Sequence, residues 1–224
     1  MNWEPIILTL RLAGLTAAIL VVVGVPIAYW LTYSRWRWKF FVEAVVALPL
    51  VLPPTVLGFY VLVAVSPRSP LGQMYQTLTG HSLAFTFEGL LFASVLYSLP
   101  FAVQPFTSAF GAVEPKLVEA SWTLGVSRLT TFLRVTLPLS AAGVVTGVVL
   151  SFAHTLGEFG VVLMVGGNIE GETRTVSIDI YDDVQALNYA GAAKTALLLL
   201  AVSYGVLLLV YAMNRKVWAV WPQR

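Results

Sequence analysis

Apolar residues in this chain occur neither in alternation nor at a narrow helical spacing. They form long unbroken runs, separated by short polar stretches that hold nearly all the charge. A helix needs roughly 18–20 apolar residues to cross a hydrocarbon core about 30 Å thick, and five runs are long enough. They extend from about Ile6 to Tyr33, Phe41 to Val65, Phe87 to Gly111, Leu137 to Val162 and Ala190 to Met213. Each must be helical, because lipid offers no hydrogen-bond partner to a backbone amide. The pattern therefore predicts an all-α membrane protein of about five transmembrane helices. It forms a single transmembrane domain over residues 1–224, with its core at about 6–213.

Proline modifies this picture. Pro26, Pro49, Pro53, Pro54, Pro100 and Pro105 lie inside the runs, and each removes a helical hydrogen bond and permits a bend. The cluster Leu48-Pro49-Leu50-Val51-Leu52-Pro53-Pro54-Thr55 is dense enough to predict that the second helix is broken. Non-helical backbone at that depth survives only when buried in protein or lining a cavity. Pro53, Pro54 and Thr55 are thus candidates for the wall or gate of a pathway, with ordinary kinked packing as the alternative.

Composition agrees with the runs. Hydrophobic residues make up 58% of the chain before its 17 glycines are counted, and charged residues only 11%, against about 25% in an average soluble domain. So few charges cannot cover a soluble globule of 224 residues. A net charge of +2 gives no polyanion-binding surface, so no nucleic-acid partner is expected. The absence of cysteine excludes disulfides, thiolate metal sites and cysteine nucleophiles. Met1-Asn2-Trp3-Glu4-Pro5 lacks a basic leader region, so the first run is expected to remain in the mature protein.

Charge position sets orientation. Arg35, Arg37 and Lys39 follow the first run, Lys116, Arg128 and Arg134 follow the third, and Arg215, Lys216 and Arg224 follow the fifth, so nine of 13 basic residues fall on one side. The other side carries Arg68 and then Glu170, Glu172, Asp179, Asp182 and Asp183 against Arg174 and Lys194. Positive residues stay inside, which predicts a multi-pass protein of the cytoplasmic (inner) membrane with its N-terminus outside and its C-terminus cytoplasmic. Trp36, Trp38, Trp218 and Trp221 suit the aromatic belts of the lipid bilayer.

The cytoplasmic connection of about 112–136 is not a span, yet it reads as a helix pair. Pro115 suits a first turn, Leu117, Val118 and Trp122 form a narrow apolar stripe, and Gly125 ends the helix. Ser127 then caps a second helix running through Leu129, Phe132 and Val135 to Pro138. Such a pair either rests on headgroups or docks into a groove of a soluble partner.

Within it stand Glu119-Ala120-Ser121, three residues, Gly125, nine residues, then Val135-Thr136-Leu137-Pro138. This spacing resembles the coupling-loop signature of the ABC-importer permeases, with Ser121 where the family has alanine and Val135 where it has isoleucine. The resemblance implies a type I importer permease fold whose loop is a coupling helix, with Glu119, Ala120, Ser121, Gly125, Leu137 and Pro138 at the ATPase contact. There Glu119 pairs with a basic group or caps the helix.

Two further stretches, Leu48–Phe59 and Thr155-Leu156-Gly157-Glu158-Phe159-Gly160 with the following Gly166-Gly167-Asn168-Ile169 and Gly171–Thr175, look like the molybdate permease family. The resemblance implies translocation of molybdate or tungstate, a second copy of the chain, two ABC ATPase subunits on the cytoplasmic side and an extracytoplasmic oxyanion-binding protein. Sulfate permeases share the glycine-glutamate-phenylalanine-glycine stretch, so a sulfate or other oxyanion permease is the alternative, and a stand-alone secondary transporter is the rival from another class.

Isolated charges in the runs add little. Arg11 is expected to snorkel towards the outer interface, and His154 to be a satisfied packing residue. Glu158 lies about 31 Å along a helix from Leu137, which places it at the outer interface. Its sign is wrong for a dianion ligand, so a helix-ending hydrogen bond is expected of it first and a gate contact second. No Walker A sequence, no Ser, His and Asp set at one depth and no metal-ligand spacing is present. The chain is therefore expected not to be an enzyme, with no catalytic residues, no metal and no cofactor of its own; ATP would be used by the partner ATPase.

Overall fold

The computed structural model of the chain describes residues 2–220. Trp221 and Arg224 lie outside the described residues, as do the side chains of Arg215, Lys216 and Trp218. Everything regular among the described residues is helical.

Three helices keep the full length of their runs, the last helix of the chain and two others: α1, Glu4–Tyr33, and α5, Phe87–Gly111. Pro26, Pro100 and Pro105 lie inside them without ending them. The second run is broken where the proline cluster predicts. Helix α2, Lys39–Val51, bends by 116° into helix α3, Pro54–Val65, across Leu52 and Pro53. A short helix α4, Pro70–Thr79, follows, started by Ser69, whose Oγ accepts from the Gly72 amide, and ended by Gly80.

The fourth run differs from the single helix expected over Leu137–Val162. The helical stretch α7, Arg128–Leu139, bends by 76° into α8, Ala141–Leu156. A second break at Gly157–Phe159 then starts a short helix α9, Gly160–Gly166. Gly157 and Gly160 flank this break, and the chain cannot hold a straight helix through it. After α10, Val176–Gln185, the last helix α11 runs over Tyr189–Val220. Three helices are thus long and apolar enough to cross a membrane, or five spans if each bent pair counts as one.

Contacts fix the directions. Arg11 of α1 lies 4.5 Å over the Phe87 ring at the start of α5, while Tyr33 at the end of α1 donates to the Phe110 carbonyl at the end of α5. The two helices are parallel. Helix α8 runs the other way, since Ser98 of α5 meets His154 while Phe106 faces Gly147. Leu20, Phe106 and Phe110 fill the contact of α1 with α5, and Leu12, Leu90, Val162 and Ile178 form a second cluster towards the other end. One end of the bundle therefore gathers residues 33–40 and 110–140, the basic connections, and the other gathers 66–86 and 157–189, the acidic one.

Candidate functional site

At the basic end, α6, Pro115–Thr123, begins with Pro115 in its first turn and buries Val118. The chain leaves it through Gly125, whose φ of +78° is left-handed, a conformation that costs other residues about 1–2 kcal/mol. No neighbouring atom lies within 4 Å of where a Cβ would stand there, so turn geometry and not crowding requires this glycine. Ser127 then caps α7, its Oγ accepting from the Thr130 amide at 3.2 Å. Ser121 Oγ and the buried Thr131 Oγ1 lie 2.9 Å apart and tie the two helices together.

The helix pair is fastened to the spans by rings. Phe132, opening a π-helical turn over Phe132–Thr136, packs edge-on against Tyr29 of α1 at 5.0 Å and Phe110 of α5 at 5.7 Å. Glu119, Ala120 and Gly125 lie on the exposed side, while Ser121 is half-buried at the joint. Glu119 sits in mid-helix and does not cap it, and among the described residues it has no ion-pair partner. Beside it a cleft of ≈ 720 Å³ opens between α6 and the end of α1, lined by Tyr29, Trp30, Arg35, Trp122 and Arg128 among others. Leu137 and Pro138 lie at the end of α7, before the bend into α8.

The second set of candidates comes together at the two breaks. Pro53, Pro54 and Thr55 are exposed at the corner of α2 and α3. Pro54 packs on Gly160, where an added Cβ would come 2.7 Å from Pro54 Cβ, and Gly58 packs on Met164 with the same closeness, 2.8 Å. The two short helices α3 and α9 thus lie against each other through glycines, and Glu158 is two residues from this contact.

Glu158 is not at the water-facing position expected of it. It is 4% exposed instead of reaching water, and neither carboxyl oxygen has a hydrogen-bond partner among the described residues. The reason is the break at Gly157, which turns the chain back under α5. His154 is satisfied: its Nδ1 lies 2.9 Å from Ser98 Oγ and its ring stacks on Phe101 at 3.9 Å. Ser98 also meets Thr155 Oγ1 at 3.0 Å. Sequence reasoning missed Ser94 and Ser98. The available signal is that they stand four residues apart on α5 and so share a helix face.

At the acidic end, Arg174 Nε donates to Asn168 Oδ1 at 2.7 Å, and Asn168 Nδ2 donates to Asp182 Oδ2 at 2.6 Å, joining the Gly166–Thr175 loop to α10. Thr9 of α1 accepts the Val176 amide at 2.9 Å. Partial burial, then Asp183, holds the Asp179 carboxyl above the usual carboxylate range. Arg11 is exposed and lines a cleft with Glu4, Glu88 and Glu172.

Ser121→Ala leaves buried Thr131 without its partner on α6, at a cost of about 0.5–1.5 kcal/mol. Hydrogen exchange read by mass spectrometry is expected to quicken over 115–131 and to stay unchanged in α1.

Residues 21–219 match the model of the family described as binding-protein-dependent transport system inner membrane component. The molybdenum transport system permease protein ModB of Azotobacter vinelandii is 52% identical over 93% of this chain and 92% of that protein. ModB of Escherichia coli (strain K12) is 34% identical over 90% and 89%. A probable sulfate transport system permease protein cysT of Zygnema circumcarinatum is 32% identical over 92% of this chain and 73% of its own length. Among solved structures, the MetNI methionine ABC transporter superposes with a TM-score of 0.75 over 95% of this chain and 94% of the matched chain, at 17% identity. A bacterial alginate ABC transporter reaches 0.76 over 96% and 78%, again at 17% identity. With a family model covering most of its length, this multi-pass chain belongs to the inner membrane components of binding-protein-dependent transport systems.

Proposed function

We propose that the chain is the membrane-spanning permease subunit of an ATP-driven importer that carries molybdate, and tungstate with it, across the cytoplasmic membrane. The carrying observation is the 52% identity to a molybdenum permease over 93% of the chain. Two copies would enclose the pathway between them, two ATPase subunits would bind the α6–α7 loops, and an extracytoplasmic binding protein would deliver the anion to the acidic end. The basic end would be cytoplasmic, with the N-terminus outside and the C-terminus inside. This chain would bind no nucleotide and no metal; ATP would be consumed by the partner.

The geometry supports a division of labour. Glu119, Ala120 and Gly125 present an open surface with no partner of their own chain over it, as a docking face requires. Ser121 and Thr131 hold the helix pair together, and Phe132 carries its displacement to α1 and α5. Leu137 and Pro138 pass it to α8 and thence to the break beside Pro53, Pro54 and Thr55, the proposed gate. ATP then biases which of two permease states is occupied, and the permease only has to differ in affinity between them. Sulfate is the second reading, favoured by the 32% identity to a sulfate permease.

Uptake of labelled molybdate into proteoliposomes holding this chain, its ATPase and its binding protein is expected to require ATP and to resist excess sulfate. Suppression by sulfate moves the chain to the sulfate permeases, and uptake without ATP contradicts the importer reading. In the same vesicles Gly125→Trp is expected to insert normally and let ATP be hydrolysed while uptake falls about tenfold or more, since a large residue both strains the left-handed turn and fills the docking face. Undiminished uptake by that variant would count against the α6–α7 assignment.

A further inference from the structure

The least explained group in the molecule is Glu158. It is 4% exposed, and neither carboxyl oxygen has a hydrogen-bond partner among the described residues. The ion pairs among the described residues are those of Arg174 with Glu170 and Asp182, at the acidic end, so no cation neutralises it. The polar group it faces is Ser94 of α5, which is fully buried and also without a partner. Two orphan groups, one on each side of the contact between α5 and the break after α8, thus confront each other in a low-dielectric interior.

An ionised carboxylate in such a place would be very costly, whereas a neutral acid needs only a hydrogen-bond partner, and the Ser94 hydroxyl has lone pairs to accept from it. The other titratable groups nearby do not change this. Tyr97 comes from α5, and His154 from α8 is already engaged by Ser98. Helices α3 and α9 contain no acidic, basic or histidine side chain, and Arg11 of α1 is exposed over Phe87.

We infer that Glu158 is a proton-binding site in the protein interior: it holds one proton as a neutral carboxylic acid and donates it to Ser94 Oγ, latching the α8–α9 break to α5. The site extends the polar ladder that continues one turn along α5 as Ser98 with His154 and Thr155. Its consequence for transport follows from sign. A carboxylate two residues from the α3–α9 contact would repel any dianion passing there, and the bound proton removes that charge without needing a cation in the wall. The inference rests on the packing of this chain alone and holds for whichever oxyanion is carried.

Infrared spectroscopy of the full chain in lipid vesicles tests it. At neutral pH the spectrum should contain the C=O band of a protonated carboxylic acid. That band should move to lower frequency when the chain is made with carbon-13 glutamate, disappear in Glu158→Gln, and shift in Ser94→Ala. It should fade only on alkalinisation, as the acid loses its proton to water. If Glu158→Gln fails to fold, the shift of the glutamate-sensitive band in Ser94→Ala still decides. A spectrum with no glutamate-sensitive protonated band at neutral pH overturns the proton site, and a band unmoved in Ser94→Ala overturns the latch. Neither outcome depends on molybdate uptake, so failure of this inference and failure of the functional reading are separable.

Discussion

Lipid offers no partner to a backbone amide, and that one constraint governs where this chain can depart from a helix. It departs three times within its apolar runs, at Leu52–Pro53, at Ser140 and at Gly157–Phe159. The short helices that follow the first and the last of these, α3 and α9, lie against each other, with Gly160 admitting Pro54 and Gly58 admitting Met164. Any larger residue at either glycine would pry the two apart and expose both breaks together. The straight helices α1 and α5 supply the fixed frame, and the two broken segments supply the part that can rearrange.

The loop at the basic end is built on the opposite logic. It lies outside the spans, its turn depends on left-handed Gly125, and its outer surface is left open. What it lacks in burial it recovers through a few specific links, the Ser121–Thr131 hydrogen bond and the Phe132 ring between Tyr29 and Phe110. A π-helical turn at that ring keeps one backbone register out of phase with the rest of α7, a feature often found where a helix serves function. A push on α6 therefore meets stiff contacts on its way to α1, α5 and α8.

Much of this was legible in the residues. Run lengths located α1, α5 and the start of α11. Pro115, Gly125 and Ser127 bounded α6 and α7 within a residue or two, because each acts through its own backbone chemistry. Doubled proline marked the first break. The break at Gly157–Phe159 was hidden, since Gly157 and Gly160 are ordinary within a long apolar run. Glu158 was misplaced for the same reason: helical arithmetic carried it to the water interface, while the unforeseen break turned it inward against Ser94. Contacts between distant glycines and their neighbours are tertiary facts, and nothing local to Gly58 or Gly160 announces them.

The central claim is that nucleotide-driven movement at the α6–α7 loop reaches the break at Pro53–Thr55. The chain contains no cysteine, so Thr55→Cys, at an exposed position, gives a single reporter. Its labelling by a membrane-impermeant thiol reagent added from the acidic side should be measured in the assembled transporter with and without ATP. The account predicts a labelling rate that rises by about tenfold or more with ATP, the shift expected for a coupling of about 1.4 kcal/mol or more between the sites. An identical rate in both states would contradict it.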